Sequence, residues 1–425
     1  MIKNKVFGLV TCMLLVLGAI LPLTSGCSAV PTGESEEPIK IGAALPLTGP
    51  YAADGLGYDQ GIMFAVDEIN AEGGLLGRPV EVLHFDTMDI APERVVSAAD
   101  QLVGGDHVDA AFGGWSGWGG DVTAFGKYDA PFFHYDASLS AIEVFREDPV
   151  QYSNIFMVTD VEGPHGQVQF DNMASLPYEY PSKTIALIAA DDAWGRGVIG
   201  GIKEGAAGDE DWEVVMEEIV PYGTREWGPI LTKLRTLSPG WVHIEIVSPA
   251  DVATFLHQFM SNPTNTLINC GYSMSPPEFM ELMGEDANGV TGQGGSFLGF
   301  PPSTPGEKEW VDAFISKYGN DPSAGSPAFY GVVKLWAEAV RQVGDPTDHA
   351  AICEWIATHP YEIIPGTTVM FDEDNKWPMA GVEYPYKMSW VQVQDDKFVT
   401  IRSQRDQFVD YEGIEHHFET PPWIK

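Results

Sequence analysis

The sequence predicts an α/β protein of two doubly wound lobes, and three observations carry that prediction. Short apolar runs rich in Val, Ile and Ala alternate with amphipathic helical stretches, the signature of βαβ units and parallel sheets. The alternation runs from Ile39 to Asp136 and restarts at Lys183, so there are two series rather than one. The chain has 425 residues, enough to bury more than one sizeable core.

The elements follow in order. IKIGAAL (Ile39 to Leu45) is apolar throughout and reads as a buried strand. Ile62, Ala65, Val66 and Ile69 then fall at i, i+3, i+4 and i+7, the spacing of one helix face. PVEVLHFD (Pro79 to Asp86) is a second strand. Pro92 opens a helix with Val95, Ala99, Leu102 and Val103 on one face. VDAAFGG (Val108 to Gly114) and APFFHYD (Ala130 to Asp136) are further strands, and Gln151 to Asp160 reads as the connection to the second series. That series has strands at Lys183 to Ala190, Glu213 to Val220, Trp241 to Val247 and Thr266 to Cys270. Its helices fall near Trp194 to Ala207, Arg225 to Leu237 and Ala250 to Met260. Helical patterns return at Glu307 to Tyr318 and Phe329 to Val343, and the tail from Pro378 shows no clear period.

Composition narrows the function. With 44% hydrophobic and 20% charged residues the chain is globular rather than disordered. Sixty-one acidic residues against 23 basic ones give a formal charge of −38. That balance, with no basic run, excludes a general binder of phosphate backbones, so no nucleic-acid partner is expected.

The first 26 residues read as an export signal: Lys3 and Lys5, an apolar run from Val6 to Leu21, then TSGC ending at Cys27. A Cys after Ser-Gly resembles a bacterial lipoprotein signal, which implies lipid on Cys27 and an exported, membrane-anchored chain. Thr24 stands where that pattern usually has Leu, with Leu23 one place earlier. Residues 27–38 are small, polar and proline-bearing, as suits a tether. No second apolar run is long enough to span a membrane. Only Cys270 and Cys353 then remain as possible thiols, without any CxxC spacing for zinc or redox work.

The opening of the mature chain carries a resemblance. It combines the PLTGP loop (Pro46 to Pro50), a helix ending in DEINAEGG (Asp67 to Gly74), GRPVEV and an acidic strand end at Asp86. GGWSG (Gly113 to Gly117), APFFHYDAS (Ala130 to Ser138), DDAWGRG (Asp191 to Gly197) and a tyrosine-bearing helix at Ala328 to Gly344 follow in order. From Ile39 to Trp390 the chain resembles the extracellular solute-binding proteins of branched-chain amino-acid and amide ABC transporters, the leucine/isoleucine/valine-binding-like family. The resemblance implies the type I periplasmic-binding fold, with two Rossmann-like lobes, a three-stranded hinge and a ligand cleft between. Its crossings fall near Asp160, Ser296 and Met388. Lobe one is then 39–159 plus 297–387, and lobe two is 160–296 plus 388–425 with the tail. Cys270 and Cys353 fall in different lobes, so no disulfide between them is expected.

The resemblance also nominates a site. Tyr51 and Asp54 match a segment that reaches the ligand from lobe one. Ser116 and Gly117 match positions that hold a carboxylate, with Trp115 and Trp118 flanking them. Ala137 and Ser138 match positions facing an α-amino group, beside Tyr135 and Asp136. From lobe two, Trp194 matches an aromatic contact, and Ser248, Gly271 and Tyr272 match strand ends that close over the ligand. The last loop offers Tyr272 where an acid often holds the ammonium. Read by themselves, Trp115, Trp118, Tyr135 and Trp194 could equally be core aromatics, and Asp136, Ser116 and Ser138 local caps. If these aromatics and acids converge, the pocket suits a cationic or amine-bearing solute.

Other motifs point elsewhere and fail on context. GRGVIG (Gly195 to Gly200) fits GxGxxG, but DDAW separates it from its strand, against a dinucleotide fingerprint. His416 and His417 are adjacent and lack the i, i+4 geometry of a helical zinc pair, so a solvated tail is the plainer reading. There is no phosphate loop, HExxH or GxSxG elbow. The sequence therefore predicts a monomeric, lipid-anchored receptor with no cofactor, no metal and no catalytic residue. It captures a small amino-acid-like or amide-like solute by lobe closure and passes it to an ABC permease. A ligand-sensing subunit of a signalling system and an exported enzyme on a two-lobed fold are the alternatives.

Overall fold

The computed structural model describes residues 37–425 apart from 90, 116–118, 137, 160–161, 294–301, 303–304, 324, 365–366, 372–388 and 404–416. Cys27, Ser116, Gly117, Trp118, Ala137 and the three expected crossings at Asp160, Ser296 and Met388 lie outside the described residues.

Two separate sheets carry the chain. The first holds β1 (Ile39–Leu45), β2 (Val80–Asp86), β3 (Ala110–Gly113), β4 (Phe132–His134) and β5 (Ile155–Met157), in the order β2-β1-β3-β4-β5. All of its pairings are parallel. The second begins with β6 (Thr184–Ala190), β7 (Glu213–Val220), β8 (Trp241–Glu245), β9 (Leu267–Cys270) and β10 (Thr291–Gln293). Their order, β7-β6-β8-β9-β10, repeats that of the first sheet, again in parallel. A separate hairpin pairs β11 (Tyr361–Ile364) with β12 (Thr367–Val369). The second sheet is then extended by β13 (Ser389–Gln394), antiparallel to β10, and by β14 (Lys397–Ser403). The two-lobed α/β fold expected from the alternation is therefore present.

Helices cover both faces. On the first sheet, α1 (Ala52–Ala71) lies on one side, while α2 (Pro92–Ala99), α3 (Gly120–Phe125) and α4 (Leu139–Glu147) lie on the other. That second side is closed by Val95, Leu102, Phe125, Phe132 and Ile142. On the second sheet, α5 (Glu162–Ala174) and α6 (Ala193–Gly208) share one side, where Phe170, Val198 and Ile202 join Ile185 and Trp241. Its other side packs Leu231, Phe255, Phe279 and Val391, which draws in α7 (Gly228–Leu237), α8 (Pro249–Met260) and α9 (Glu278–Met283). Further on, α10 (Pro305–Tyr318), α11 (Gly325–Val343) and α12 (His349–Thr358) return to the first lobe, with Phe329 against Tyr58 and Phe314 against Phe64. The approach of α1 to α11 is so close that a Cβ on Gly61 would collide with the Ser326 carbonyl oxygen. Among the described residues no helix is long and apolar enough to cross a membrane.

Three local differences from the sequence reading have physical causes. The helix from Pro92 keeps Val95, Ala99, Leu102 and Val103 buried, but from Asp100 to Gly105 it widens into a π-turn that ends on the paired glycines Gly104 and Gly105. The stretch read as a bare connection, Gln151 to Asp160, contains β5, whose three buried residues are too few to show a period. The unassigned tail contains the β13–β14 hairpin, turned by Asp395 and Asp396, both left-handed at φ 48° and 61°. Asp tolerates that conformation, but a pair of aspartates is a weaker signal than Asn-Gly. Cys270, on β9, and Cys353, on α12, are buried and form no disulfide with each other.

Candidate functional site

The site follows from the strand order. In each sheet the order reverses at one strand: β1 lies between β2 and β3, and β6 between β7 and β8. At such a switch point the loops leaving neighbouring strands part, and a crevice opens beyond their carboxyl ends. The residues that leave those ends are Tyr51, Asp54 and Tyr58 after β1, Trp115 after β3 and Tyr135 after β4. From the second sheet they are Trp194 after β6, Tyr222 after β7, Glu245 ending β8 and Tyr272 after β9.

These two sets meet. The Tyr272 hydroxyl donates to Asp54 Oδ1 at 2.9 Å and lies 3.5 Å from the Tyr58 hydroxyl. Trp115 stands edge-on to Tyr272, with ring centres 5.7 Å apart, and 6.2 Å from the Trp194 ring. Tyr51 meets Tyr222 edge-on at 5.8 Å. Edge-on and tilted pairs suit the ring quadrupoles, each contributing about 0.5–1.5 kcal/mol beyond area burial.

Local chemistry fixes each group. Asp86, at the end of β2, accepts from the amides of Leu47, Thr48 and Met88 and from the Thr48 hydroxyl, which holds the PLTGP loop in place. Burial raises its pKa and is the largest single influence, but those bonds together keep its carboxyl below the usual range. That loop delivers Asp54 into the first turn of α1, where it is buried. Its donors are the Tyr272 hydroxyl and, at 3.4 Å, Trp115 Nε1. Burial pushes its pKa up to about 7, against those two bonds and with a smaller contribution from Glu278.

Glu245 is the buried acid at the end of β8, and it is held differently. It accepts from Trp194 Nε1 at 2.8 Å, from His243 Nε2 at 2.9 Å, and at 3.4 Å from Gln169 Nε2 and the Tyr272 amide. Burial works against its charge, but the bonds from His243 and Trp194 and the field of His243 and His165 hold the carboxyl below the usual range. Gly271 makes room for it, because a Cβ there would collide with Glu245 Oε2. Asn269 Nδ2 sits 2.9 Å from His243 Nδ1, which leaves Nε2 to donate to Glu245.

Of the residues nominated from sequence, Tyr51, Asp54, Trp115, Tyr135, Trp194 and Tyr272 come together. Asp136 is occupied otherwise: it accepts from the amides of Gly119, just ahead of α3, and Ser138, just ahead of α4. Ser138 and Ser248 cap α4 and α8, accepting from Ala141 and Asp251. Each hydroxyl can still donate its own proton. Glu245, His243, Tyr58 and Tyr222 were not nominated. A signal for the first two was present in WVHIEIV, since a buried strand with His and Glu two apart sets both on one face. Tyr58 lies one turn after Asp54 on α1.

Asp121, His134 and Asp136 form a buried cluster whose ligand atoms lie within 4.8 Å of one another. His134 Nδ1 is 2.7 Å from Asp121 Oδ2. Two ligands at about 2.0–2.1 Å from a tetrahedral ion stand roughly 3.3 Å apart, so 2.7 Å is the spacing of a close ion pair. Burial opposes charge on His134, yet Asp121 and Asp136 raise its pKa, as the pair requires.

Comparison with known proteins agrees with this geometry. Residues 38–395 match the family model described as periplasmic binding protein. The chain belongs to the periplasmic binding protein family. Similar to this periplasmic binding protein is the Leu/Ile/Val-binding protein homolog 7 of Brucella abortus, 26% identical over 386 residues, 85% of this chain and 91% of the relative. A chain described as a branched-chain amino acid ABC transporter protein from Silicibacter pomeroyi superposes with a TM-score of 0.77 at 26% identity, covering 91% of this chain and all of the other. The branched-chain amino acid transporter substrate-binding protein of Streptococcus pneumoniae, solved with isoleucine, gives 0.71 at 19% identity, over 85% and 97% of the two chains. The last shows the fold alone. The family and the two-lobed fold implied by the sequence resemblance are thus those of this periplasmic binding protein.

Proposed function

We propose that the protein captures a small amino-acid-like or amide-like solute between its lobes and delivers it, unchanged, to an ABC importer permease. The observation that carries this reading is the bond from Tyr272 to Asp54, which joins loops from the carboxyl ends of two different sheets around buried aromatic rings. Groups on two hinged bodies that complete one site favour closure around a shared ligand. Lobe one is assigned 39–159 plus 297–387, and lobe two 160–296 plus 388–425. The lining is assigned to Tyr51, Asp54, Trp115, Tyr135, Trp194 and Tyr272, with Ser116, Gly117, Trp118, Asp136, Ala137, Ser138 and Ser248 completing it. The chain is exported, anchored by lipid on Cys27 and monomeric in this reading, and it performs no chemistry on the solute.

The test is thermal denaturation of the full-length protein in mild detergent against branched-chain and polar amino acids, short amides, urea, amines and aromatic acids. A ligand at 100 times its dissociation constant adds about 2.7 kcal/mol. A raised midpoint with one class, and that compound recovered intact, supports a receptor. Turnover of the compound would move the reading to an enzyme, and no shift with any class would remove it.

A further inference from the structure

We propose that a recess between α12 and the starts of β4 and β5 is a second ligand site, away from the cleft, for a small organic cation that carries N–H donors. The recess has a volume of about 340 Å³, within the range of pockets that take small molecules. Its deep side is made by Asn154 and Cys353, both buried, and its rim by half-buried Tyr128 and exposed Asp129, Ala350 and Glu354. Residues 128–131 and 151–154 lead into β4 and β5, so the recess lies at the amino ends of the first sheet. The cleft lies beyond the carboxyl ends, at the opposite edge.

Asn154 is the deciding residue. It is 4% exposed, and its Nδ2 is spent on the carbonyl oxygens of Ala130, at 2.8 Å, and Phe125, at 3.5 Å. Oδ1 is then the polar atom that Asn154 brings to the recess, and among the described residues it is buried with no hydrogen-bond partner. Buried polar atoms in native proteins nearly always find a partner, so Oδ1 calls for a donor that the described chain does not bring. The rim sets the charge. Asp129 and Glu354 place two carboxylates there, and neither lysine nor arginine lines the recess. Asp129 also stands 3.2 Å from His349 Nδ1, but it is largely exposed, so solvent keeps that pair weak. An anion is repelled here, in a chain of net charge −38. Asp129, Cys353 and Glu354 do not converge as metal ligands, since the cluster that does among the described residues is Asp121, His134 and Asp136. A short alkylammonium or guanidinium meets every feature: an N–H for Oδ1, an alkyl stem for Ala350 and Cys353, and positive charge for the carboxylates.

The experiment is calorimetric titration of the full-length protein with n-butylammonium and agmatine. Tetramethylammonium, a cation without N–H, and butyrate, an anion, are the controls. At least one of the first two is expected to bind with a component that Ala350→Trp removes, because that substitution fills the recess from an exposed position. Asp129→Asn combined with Glu354→Gln is expected to weaken the same component at least about twofold. Binding by neither amine overturns the proposal and leaves water as the partner of Oδ1. Amine binding that survives Ala350→Trp unchanged belongs elsewhere on the protein and overturns it too, as does equal binding of tetramethylammonium or butyrate. Both rim acids are exposed, so their double variant keeps the test open should Ala350→Trp fail to fold, and binding indifferent to it contradicts the site. None of these failures touches the receptor reading, which rests on the cleft.

Discussion

The hydroxyl of Tyr272 and the carboxylate of Asp54 lie 2.9 Å apart, although 218 residues separate them in the chain. One belongs to the loop after β9 and the other to the first turn of α1, so the contact joins the two lobes at the centre of the site.

Tyr272→Phe removes this bond and leaves Asp54 with Trp115 as its remaining described donor. A buried acceptor that loses a partner costs about 1–3 kcal/mol. The loss is expected in urea denaturation at about pH 8, where Asp54 is ionised, and is smaller at about pH 5, where it is protonated. Equal losses at both pH values would show that the carboxylate charge does not matter to the contact.

Asp54 itself makes stability depend on pH. Its folded pKa of about 7 lies above the ordinary 3.8, so the folded state holds the proton more tightly than the unfolded one. That contribution is full below about pH 4 and is lost as pH rises through about 7. Asp54→Asn has no proton to lose. Its stability relative to wild type therefore grows between about pH 5 and pH 8, read from denaturant midpoints. A constant difference across that window contradicts the assignment.

Gly271→Ala places a Cβ on Glu245 Oε2 and forces that carboxylate off Trp194 Nε1. Overpacking of this kind costs roughly 1–3 kcal/mol. A lower melting temperature is expected together with a changed tryptophan emission, because Trp194 loses its anchor. A changed melting temperature with unaltered emission would mean that the collision is relieved elsewhere.

Cys27→Ser tests the proposed anchor. The wild type is expected to take up labelled fatty acid and to sediment with membranes, and the variant to do neither. A wild type that takes up no label and stays in the soluble fraction would leave a plain export signal in place of a lipoprotein one.

How legible the molecule was in its sequence varies with the kind of signal. Seven-residue strands such as Ile39–Leu45 and Thr184–Ala190 were readable because apolar β-branched runs of that length have few alternatives. The three-residue β5 and the Asp-Asp hairpin turn were not, since neither carries a period nor a strong turn signal. At the site, Asp54, Trp115, Trp194 and Tyr272 were nominated through the family resemblance, which rests on motifs next to strand ends. Glu245 was passed over because Trp241 to Val247 was read only as a strand, although a charge in a buried strand needs partners and so marks a network. That Asp136 and Ser138 bind backbone amides depends on loop geometry, which residue spacing does not encode.

The most direct test of a two-lobed solute clamp is a distance. Spin labels at the exposed positions Val96, on α2, and Leu237, on α7, report the separation of the lobes in a Cys27→Ser background, while Cys270 and Cys353 are buried. Double electron–electron resonance is expected to show a shifted, narrowed distance distribution with the compound that raises the melting temperature, and none with compounds that do not. An unchanged distribution under saturating ligand would contradict closure of the lobes around the solute.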